Sequence, residues 1–221
     1  DDLRRRLAAS LTERGIELAT GVELSALERD ADGFSLRRAD GSALRAAAAL
    51  NATGRRPNTA DLGLEALGVA LAADGSVVVD ADSRSTASGI WAIGDVTNRI
   101  NLTPVAIAEG RAFADHEFAG QRVRVDHRTV ASAVFADPPL ASIGLTEEQA
   151  GALGPVAIFE SEFRPMKTAF AGGTARTYMK LVVDGLNDRV LGVHMLGVDA
   201  AEIVQSLAVA LTCGATKRDF D

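Results

Sequence analysis

Cysteine is almost absent from this sequence, and its scarcity limits the chemistry that the chain can perform by itself. Cys213 is the single cysteine in 221 residues. One thiol excludes an internal disulfide, a Cys-x-x-Cys motif and a multi-cysteine metal site, so the chain cannot hold a redox dithiol. Because Cys213 ends an apolar run and precedes Gly214, it is predicted to be a buried structural thiol rather than a reactive one.

Strong positive charge and long apolar runs are also missing. The formal net charge is -7 at pH 7, and the longest basic run is Arg4-Arg5-Arg6. Nucleic acid and anionic membrane surfaces are therefore poor partners, and small molecules or proteins are better ones. No apolar run approaches the ~20 residues of a membrane helix. Because the chain opens on Asp1 without a methionine, the absence of a signal peptide says little.

A third absence concerns nucleotide binding, since no Gly-x-Gly-x-x-Gly motif follows a predicted strand. The segment Gly89–Asp95 is apolar and bounded by glycines, which predicts a buried strand with Asp95 at its carboxyl end. Open α/β sheets bind ligands at that end of their strands. On position alone, Asp95 suits two roles equally: capping a turn, or accepting hydrogen bonds from the hydroxyl groups of a ligand.

A helix is predicted to follow, from Thr103 to about Phe118. Thr103 can cap the free amides, and Pro104 in the first turn loses no hydrogen bond. The amino end of this helix would direct partial positive charge toward whatever lies beside Asp95. One face of the helix could approach a sheet or a flat ring closely, because it carries Ile107, Gly110, Ala114 and Phe118.

The first part of the chain is predicted to form a helix and antiparallel strands. Leu3, Leu7 and Leu11 have helical spacing, and Gly15 can end that helix. Alternating runs separated by Asp30–Gly33 and by Ala39-Asp40-Gly41 indicate hairpins. A further strand is predicted over residues 46–52, followed by a turn at Gly54 before Pro57.

The last part is predicted to be an α+β domain. Strands are expected over residues 131–135, 156–162, 177–183 and 190–195, after an isolated earlier strand at Val77–Val79. Two helices are predicted to begin with capping boxes at Thr146 and Asp199. The second helix has a wide apolar stripe from Ile203 to Leu211, which is predicted to require covering by a second copy of the chain.

Several blocks of sequence together resemble the flavin-dependent pyridine nucleotide disulfide oxidoreductases. The resemblance rests on their order and spacing: Ala52–Asn58, Ile90–Asp95, Leu102–Ala106, Val134–Pro139, Ile143–Glu147 and Gly214–Lys217. Within that family, Phe163-Arg164-Pro165-Met166 is most similar to the glutathione reductases. The resemblance covers essentially the whole chain and implies that both ends of the enzyme are missing from it.

The resemblance implies three domains, two cofactors and one partner. Residues 1–57 correspond to the end of the NAD(P)-binding domain, 58–128 to the returning part of the FAD-binding domain, and 129–221 to the dimerisation or interface domain. The fold class is therefore incomplete α/β nucleotide-binding segments followed by an α+β dimerisation domain. The implied enzyme is a cytoplasmic homodimer that binds FAD and NADPH and reduces glutathione disulfide, with no nucleic acid, membrane or metal partner.

Five residues receive roles from the resemblance. Asp95 would contact the ribityl chain of FAD, Thr103 the flavin pyrimidine, and Gly54 and Ala133 the nicotinamide cofactor. Arg111 would bind the carboxylates of the disulfide substrate, for which an arginine fork is well suited. Without ligands, Gly54 is equally a turn glycine, Thr103 a cap and Arg111 a solvated helical arginine.

No residue of this chain is predicted to be catalytic. The redox cysteine pair and the His-Pro acid of the family lie outside it, and His116, His127 and His194 are not followed by proline. The chain alone is therefore expected to be inactive. Two alternatives stay open: a relative of dihydrolipoamide dehydrogenase or mercuric reductase, and a non-catalytic module for dimerisation and flavin docking.

Overall fold

The structure is a computed structural model that describes residues 2–221. The chain divides into two compact units, one of residues 11–56 and the other of residues 2–10 together with 57–221. No helix within residues 2–221 combines the length and the apolar composition needed to cross a bilayer. The first helix, α1, spans Asp2–Glu13, and Gly15 follows it with a φ of 82°, as expected at a helix end. The predicted first helix is confirmed.

The smaller unit contains a three-stranded antiparallel sheet. Its strands are β1 (Leu24–Asp30), β2 (Gly33–Arg38) and β3 (Ala43–Ala46), paired in that order. The backbone N–H of Asp32 donates to Asp30 Oδ1 over 2.9 Å, which stabilises the first turn. The predicted hairpins are confirmed. The predicted strand over residues 46–52 is wrong, because β3 ends at Ala46 and the following residues have no regular structure.

Two predicted strands of the larger unit are replaced by isolated bridges. Val77 and Val79 of the predicted Val77–Val79 strand pair singly with Leu71 and Ser85, so no ladder forms there. The segment Gly89–Asp95 likewise makes one bridge, between Trp91 and Arg84. A strand requires a neighbouring strand for its hydrogen bonds, and within residues 2–221 neither segment has one.

Gly94 also prevents the predicted Gly89–Asp95 strand from reaching Asp95. Its φ is 68°, outside the extended region, and a 3-10 turn begins at this residue. This turn, Gly94–Thr97, is called the Asp95 turn below. Asp95 therefore lies in a turn rather than at the end of a strand.

The next helix, α2, spans Thr103–Ala119, close to the predicted bounds. Pro104 lies in its first turn as expected, but the predicted cap by Thr103 is wrong. Thr103 is already helical, and the capping position belongs to Leu102, whose side chain makes no cap hydrogen bond. An aliphatic side chain has no acceptor for the amides of the first turn.

A five-stranded antiparallel sheet, called the large sheet, dominates residues 130–221. Its strand order is β4-β5-β8-β7-β6. Its strands are β4 (Ser132–Val134), β5 (Leu140–Gly144), β6 (Val156–Phe163), β7 (Thr177–Asp184) and β8 (Val190–Leu196). Four predicted strands are confirmed, whereas β5 was not predicted from the sequence. The helices here are α3 (Glu147–Gly151), α4 (Met166–Phe170), α5 (Ala200–Thr212) and α6 (Lys217–Phe220).

Helix α5 packs on one face of the large sheet and forms the main core. Val204 and Leu211 of this helix are buried together with Ile143, Val193 and Met195. The apolar stripe Ile203–Leu211 is thus mostly covered by the same chain. Its covering by a second copy stays a prediction. The stripe retains a solvent-facing residue in Ile203, which is 37% exposed.

The ends of these helices show which capping signals were reliable. Thr146 forms the predicted capping box with Gln149 at the start of α3. The predicted box at Asp199 is wrong: this residue has a φ of 63°, and its side chain makes no cap hydrogen bond. Cys213, at the end of α5, is exposed, so the predicted burial of its thiol is wrong too.

The other face of the large sheet is charged. Lys180 of β7 is 5% exposed, lies opposite Glu160 and His194 in the ladder, and donates to Asp2 over 2.6 Å and Glu147 over 2.5 Å. Although burial opposes the charged form, these two carboxylates raise the pKa of Lys180. The neighbouring Tyr178 donates to Glu160. Ion pairs therefore hold the amino end of α1 against this face.

Candidate functional site

The Asp95 turn is held in a defined conformation by its own residues. Thr97 Oγ1 donates to the carbonyl oxygen of Gly94 over 2.8 Å, and the backbone N–H of Asn98 donates to that of Asp95 over 3.1 Å. Asn98 Nδ2 donates to Asp74 over 2.6 Å. Hydrogen bonds from Ser76 and Asn98 lower the pKa of Asp74 to about 2. These bonds fix the backbone on which the Asp95 carboxylate is carried.

The Asp95 turn packs against the first turns of α2. Gly94 is buried, and a Cβ at this position would lie 3.0 Å from Cβ of Ala106. A side chain at residue 94 would therefore separate the turn from the helix. Ile93 also touches the helix, since a Cβ at Gly110 would lie 3.4 Å from its Cδ1. Glycine at residues 94 and 110 thus allows close contact between the turn and α2.

The amino end of α2 offers backbone donors, and the Asp95 turn packs against the first turns of this helix. Thr103 and Pro104 are exposed, and no side chain caps the helix at Leu102. Uncapped amides and the helix dipole favour electronegative ligand atoms. The carboxylate of Asp95 is instead an acceptor for hydroxyl groups. The amino end of α2 and the Asp95 carboxylate together suit a ligand that combines hydroxyl groups with an electron-rich carbonyl or ring.

The helix face predicted to approach a ring is largely open. Ile107 is 52% exposed and Phe118 is 82% exposed. The face that packs within the chain carries Val105, Glu109 and Phe113 instead. Phe113 contacts Trp91 edge to face with centroids 5.4 Å apart, and the indole nitrogen of Trp91 is buried without a hydrogen-bond partner among residues 2–221.

Gly54, predicted to lie beside a nicotinamide cofactor, belongs to the smaller unit. Its φ is 121°, which strongly favours glycine, and no described atom would contact a Cβ at this position within 4 Å. Asn51 stabilises the preceding turn by accepting hydrogen bonds from the backbone and hydroxyl of Thr53. The turn is therefore open on the side of Gly54.

Ala133 and Arg111 lie on different elements of the larger unit. Ala133 is in the edge strand β4 and pairs with Ala141 of β5. Arg111 is exposed on the third turn of α2 and makes no ion pair with another residue of the described chain, 2–221. Its guanidinium is available to a ligand. The proposed roles of these residues stay predictions.

The three histidines each contact other side chains. His116 Nε2 lies 2.7 Å from Arg84, and His127 Nε2 lies 2.7 Å from Glu109. His194 lies 3.0 Å from both Ser142 Oγ and the carbonyl oxygen of Leu145, and its burial lowers its pKa. No group of three or more His, Cys, Asp or Glu side chains within residues 2–221 is arranged to hold a metal ion.

Glu109 was not predicted from the sequence to be a site residue, although it is one of the two buried residues of α2. Its carboxylate contacts Gly94, the residue before Asp95, over 2.6 Å. A signal was present, because Glu109 is four residues after Val105 and so shares the face of α2 that packs inward. A charged residue on such a face indicates buried partners.

Two sequence profiles of one family match this chain. The profile described as "Pyridine nucleotide-disulphide oxidoreductase" matches residues 1–110. The profile described as "Pyridine nucleotide-disulphide oxidoreductase, dimerisation domain" matches residues 130–221, which contain the whole large sheet. Together they confirm the predicted fold class, with nucleotide-binding segments first and a dimerisation domain second.

Individual relatives agree with these profiles. The chain is 49% identical to a glutathione reductase of Burkholderia cepacia, covering 100% of this chain and 49% of that protein. It is 48% identical to the chloroplastic/mitochondrial glutathione reductase of Pisum sativum, covering 94% of this chain and 38% of that protein. The chain thus spans about half or less of these relatives.

A solved structure has the same fold. The HOCl-induced flavoprotein disulfide reductase RclA of Escherichia coli superposes with a TM-score of 0.86 at 26% identity, over 98% of this chain and 50% of that one. Sequence profiles, relatives and fold agree over both parts of the chain. The chain belongs to the pyridine nucleotide-disulphide oxidoreductase family, and glutathione reductases are among its relatives.

Proposed function

We propose that this chain is part of an NADPH-dependent, FAD-containing glutathione-disulfide reductase. Identities of 49% and 48% to two glutathione reductases support this substrate. The overall reaction consumes NADPH, one proton and glutathione disulfide, and yields NADP⁺ and two glutathione molecules. NADPH supplies a hydride, and its two electrons break the disulfide bond. Bound FAD would supply a two-electron acceptor between NADPH and the disulfide, and Asp95 and the amino end of α2 are the groups of this chain that would hold it.

One observation carries the proposal for the flavin: the Asp95 turn packs against the uncapped amino end of α2. The donor set fits FAD, because Asp95 can accept hydrogen bonds from ribityl hydroxyls. The amino end of α2, with Thr103, can stabilise negative charge on the flavin pyrimidine. A helix end of this kind contributes about 0.3–1 kcal/mol, which tunes a cofactor rather than performing catalysis.

The remaining predicted residues would hold the other two reactants. The open turn at Gly54 allows backbone contact with the nicotinamide cofactor, and the backbone of Ala133 in the edge strand β4 can contribute a second contact. The exposed guanidinium of Arg111 can bind a carboxylate of glutathione disulfide in a forked geometry. These assignments follow the family resemblance and the exposure of the residues.

This chain contributes binding and positioning groups rather than the redox relay. Electron transfer to a disulfide requires a pair of thiols and an acid that protonates the departing thiolate. Cys213 is a single thiol, and each of the three histidines contacts side chains of its own unit. We therefore assign no catalytic residue within this chain. The relay and the acid would be supplied by other parts of the enzyme.

The enzyme is proposed to be a cytoplasmic homodimer that assembles through residues 129–221. Support for self-association comes from the matched dimerisation-domain profile over residues 130–221. Exposed apolar side chains of the same region could be covered by a second copy. They include Phe163 at 40%, Met166 at 88% and Phe170 at 94% exposure.

One experiment tests flavin binding and assembly together in the full-length protein. Purified enzyme is expected to sediment as a dimer with FAD bound. The Asp95→Ala variant should lose about 1–3 kcal/mol of FAD affinity, the cost of a charge-assisted hydrogen bond at a buried ligand. The matched control is Asp32→Ala, which makes the same change in an exposed hairpin turn.

The outcomes separate the parts of the proposal. Unchanged FAD content of Asp95→Ala after extensive dialysis would remove Asp95 from the flavin site. A monomer at micromolar concentration would argue against the dimer. Turnover with dihydrolipoamide or mercuric ion in place of glutathione disulfide would assign the enzyme to another branch of the family, and distribution to another cell fraction would contradict the cytoplasmic location.

The second candidate is a non-catalytic module for dimerisation and flavin docking. The single cysteine favours it, since the chain cannot cycle a dithiol. The sequence of the intact gene product discriminates between the two. A Gly-x-Gly-x-x-Gly motif and a Cys-x4-Cys motif upstream of Asp1 support the enzyme, and their absence from the gene product supports the module.

A further inference from the structure

Glu109 is a buried carboxylate on a helix whose inward face is otherwise made of apolar and small side chains. The residue is 3% exposed, and Val105 is the other buried residue of α2. A buried carboxylate is costly unless several donors bind it. Glu109 has three, and they come from two segments: Gly94 and Arg99 belong to the Asp95 turn and the residues directly after it, and His127 lies beyond α2. The carboxylate therefore joins these segments to α2.

The first donor is the backbone of the Asp95 turn. The N–H of Gly94 donates to Glu109 Oε2 over 2.6 Å. The residue that precedes the turn, Ile93, makes no side-chain cap hydrogen bond. Glu109, on α2, thus accepts a hydrogen bond from a free amide at the start of the Asp95 turn, which is the function of a capping side chain. It acts on the residue directly before Asp95.

The other two donors fix the second oxygen of the carboxylate. Oε1 of Glu109 lies 2.7 Å from His127 Nε2 and 2.9 Å from the Arg99 guanidinium. Arg99 also donates to Ser83 Oγ over 2.9 Å and to Thr97 Oγ1 over 3.2 Å. Both oxygens of the Glu109 carboxylate are consequently fixed by contacts, and Oε2 is held at hydrogen-bond distance from the N–H of Gly94.

We propose that Glu109 is a positioning residue for the cofactor site, because its carboxylate fixes the turn that presents Asp95. The inference rests on the proposed function, in which Asp95 binds FAD. Glu109 itself touches neither cofactor nor substrate in this assignment. Its effect on FAD must pass through the Asp95 turn, and this requirement distinguishes positioning from a general contribution to stability.

The test measures FAD affinity of the full-length enzyme by titrating apoenzyme with FAD. In Glu109→Gln, the amide NH2 replaces either the oxygen that faces Gly94 or the oxygen that faces both His127 and Arg99, so at least one of these donors loses its acceptor. We expect FAD affinity to fall about tenfold or more. The matched control is Glu117→Gln on the same helix, which pairs with Arg84 at the surface and should leave affinity unchanged within about twofold.

A double-mutant cycle with Asp95 gives the decisive readout. If Glu109 acts through the Asp95 turn, Glu109→Gln should have little further effect on FAD affinity in an Asp95→Ala background. Full additivity of the two losses would overturn the proposal, as would unchanged affinity in Glu109→Gln when Asp95→Ala weakens binding. If Asp95→Ala itself leaves affinity unchanged, the proposed flavin site fails instead, and this inference fails with it.

A second variant covers the case in which Glu109→Gln does not fold. Glu109→Asp keeps the charge but withdraws the carboxylate by about 1.5 Å, the length of one carbon–carbon bond. Hydrogen exchange of the peptide containing Gly94 should then become faster, and FAD affinity should fall in the same variant. Wild-type exchange with wild-type affinity would overturn the proposal.

Discussion

Lys180 shows at the residue scale how a charged side chain is accommodated in the large sheet. It is 5% exposed, yet both of its close carboxylates come from outside the sheet, Asp2 from α1 and Glu147 from α3. Neither partner could be identified from the sequence, because spacing of 33 and 178 residues leaves no local pattern. Burial of the lysine therefore depends on two helices being in place.

Replacing Lys180 by methionine should destabilise the chain by about 1–2 kcal/mol, because Asp2 and Glu147 lose a charged donor but keep partial access to water. Denaturant unfolding measures the change. Lys167→Met is the matched control, since Lys167 is exposed on α4. A loss no larger than that of the control would show that the buried charge contributes no net stability.

The ion pair between Lys180 and Asp2 predicts that the free energy of unfolding depends on pH. Hydrogen bonds from Lys180 and Arg5 lower the pKa of Asp2 from 3.8 to about 2. A carboxyl group with a lowered pKa stabilises the folded state above its unfolded pKa, and this contribution is lost as pH falls through the folded value. The difference in unfolding free energy between wild type and Lys180→Met should therefore shrink as pH falls from about 4 to 2. A constant difference would contradict the assignment.

Asp95 was predicted from the sequence as a site residue, and Glu109 was not. The position of Asp95 after an apolar segment pointed to a candidate ligand group, although the segment is not a strand. Glu109 was overlooked because its role depends on two segments that meet α2 only in the folded chain. A carboxylate on an inward helical face signals buried partners, but it does not say which.

At the scale of elements, the hairpins and most strands of the large sheet were predicted correctly, whereas two of the three predicted amino-terminal helix caps, at Thr103 and Asp199, are wrong. The capping box of Thr146 depends on residues three apart and forms as predicted, whereas the extended segment Gly89–Asp95 required a neighbouring strand and a negative φ at Gly94. The short strand β5 was missed because it is identified by its pairing with β8 rather than by alternation. Hydrophobic pattern alone cannot supply a partner strand.

The cap of α3 gives an element-scale prediction. Thr146 Oγ1 accepts from the backbone N–H of Gln149 over 3.2 Å, and Gln149 Oε1 accepts from the backbone N–H of Thr146 over 3.0 Å. Thr146→Ala should therefore cost about 1 kcal/mol in denaturant unfolding, whereas Thr146→Ser retains the hydroxyl and should cost much less. Equal losses in the two variants would show that the methyl group, not the cap, matters.

At the scale of the whole molecule, the 221-residue chain is expected to have no disulfide reductase turnover, even with FAD and NADPH added. It has one thiol and no assigned proton donor. The assay is NADPH oxidation that depends on glutathione disulfide, with the full-length enzyme as the positive control. Disulfide-dependent oxidation by the chain alone would require a reassessment of His116, His127 and His194 as acids.

The strand order β4-β5-β8-β7-β6 also has a consequence for synthesis on the ribosome. β4 and β5 leave the ribosome first, but β5 cannot complete its pairing until β8 follows, since Gly144 pairs with Gly192 and Leu140 with Leu196. At about 5–20 residues per second, the intervening chain takes about 3–10 s to make. For that interval the edge of β5 that will meet β8 is unpaired, and an unpaired edge can bind another nascent chain. The central strand of the mature sheet, β8, is thus the last to be made, and both of its pairings, with β5 and with β7, form only then.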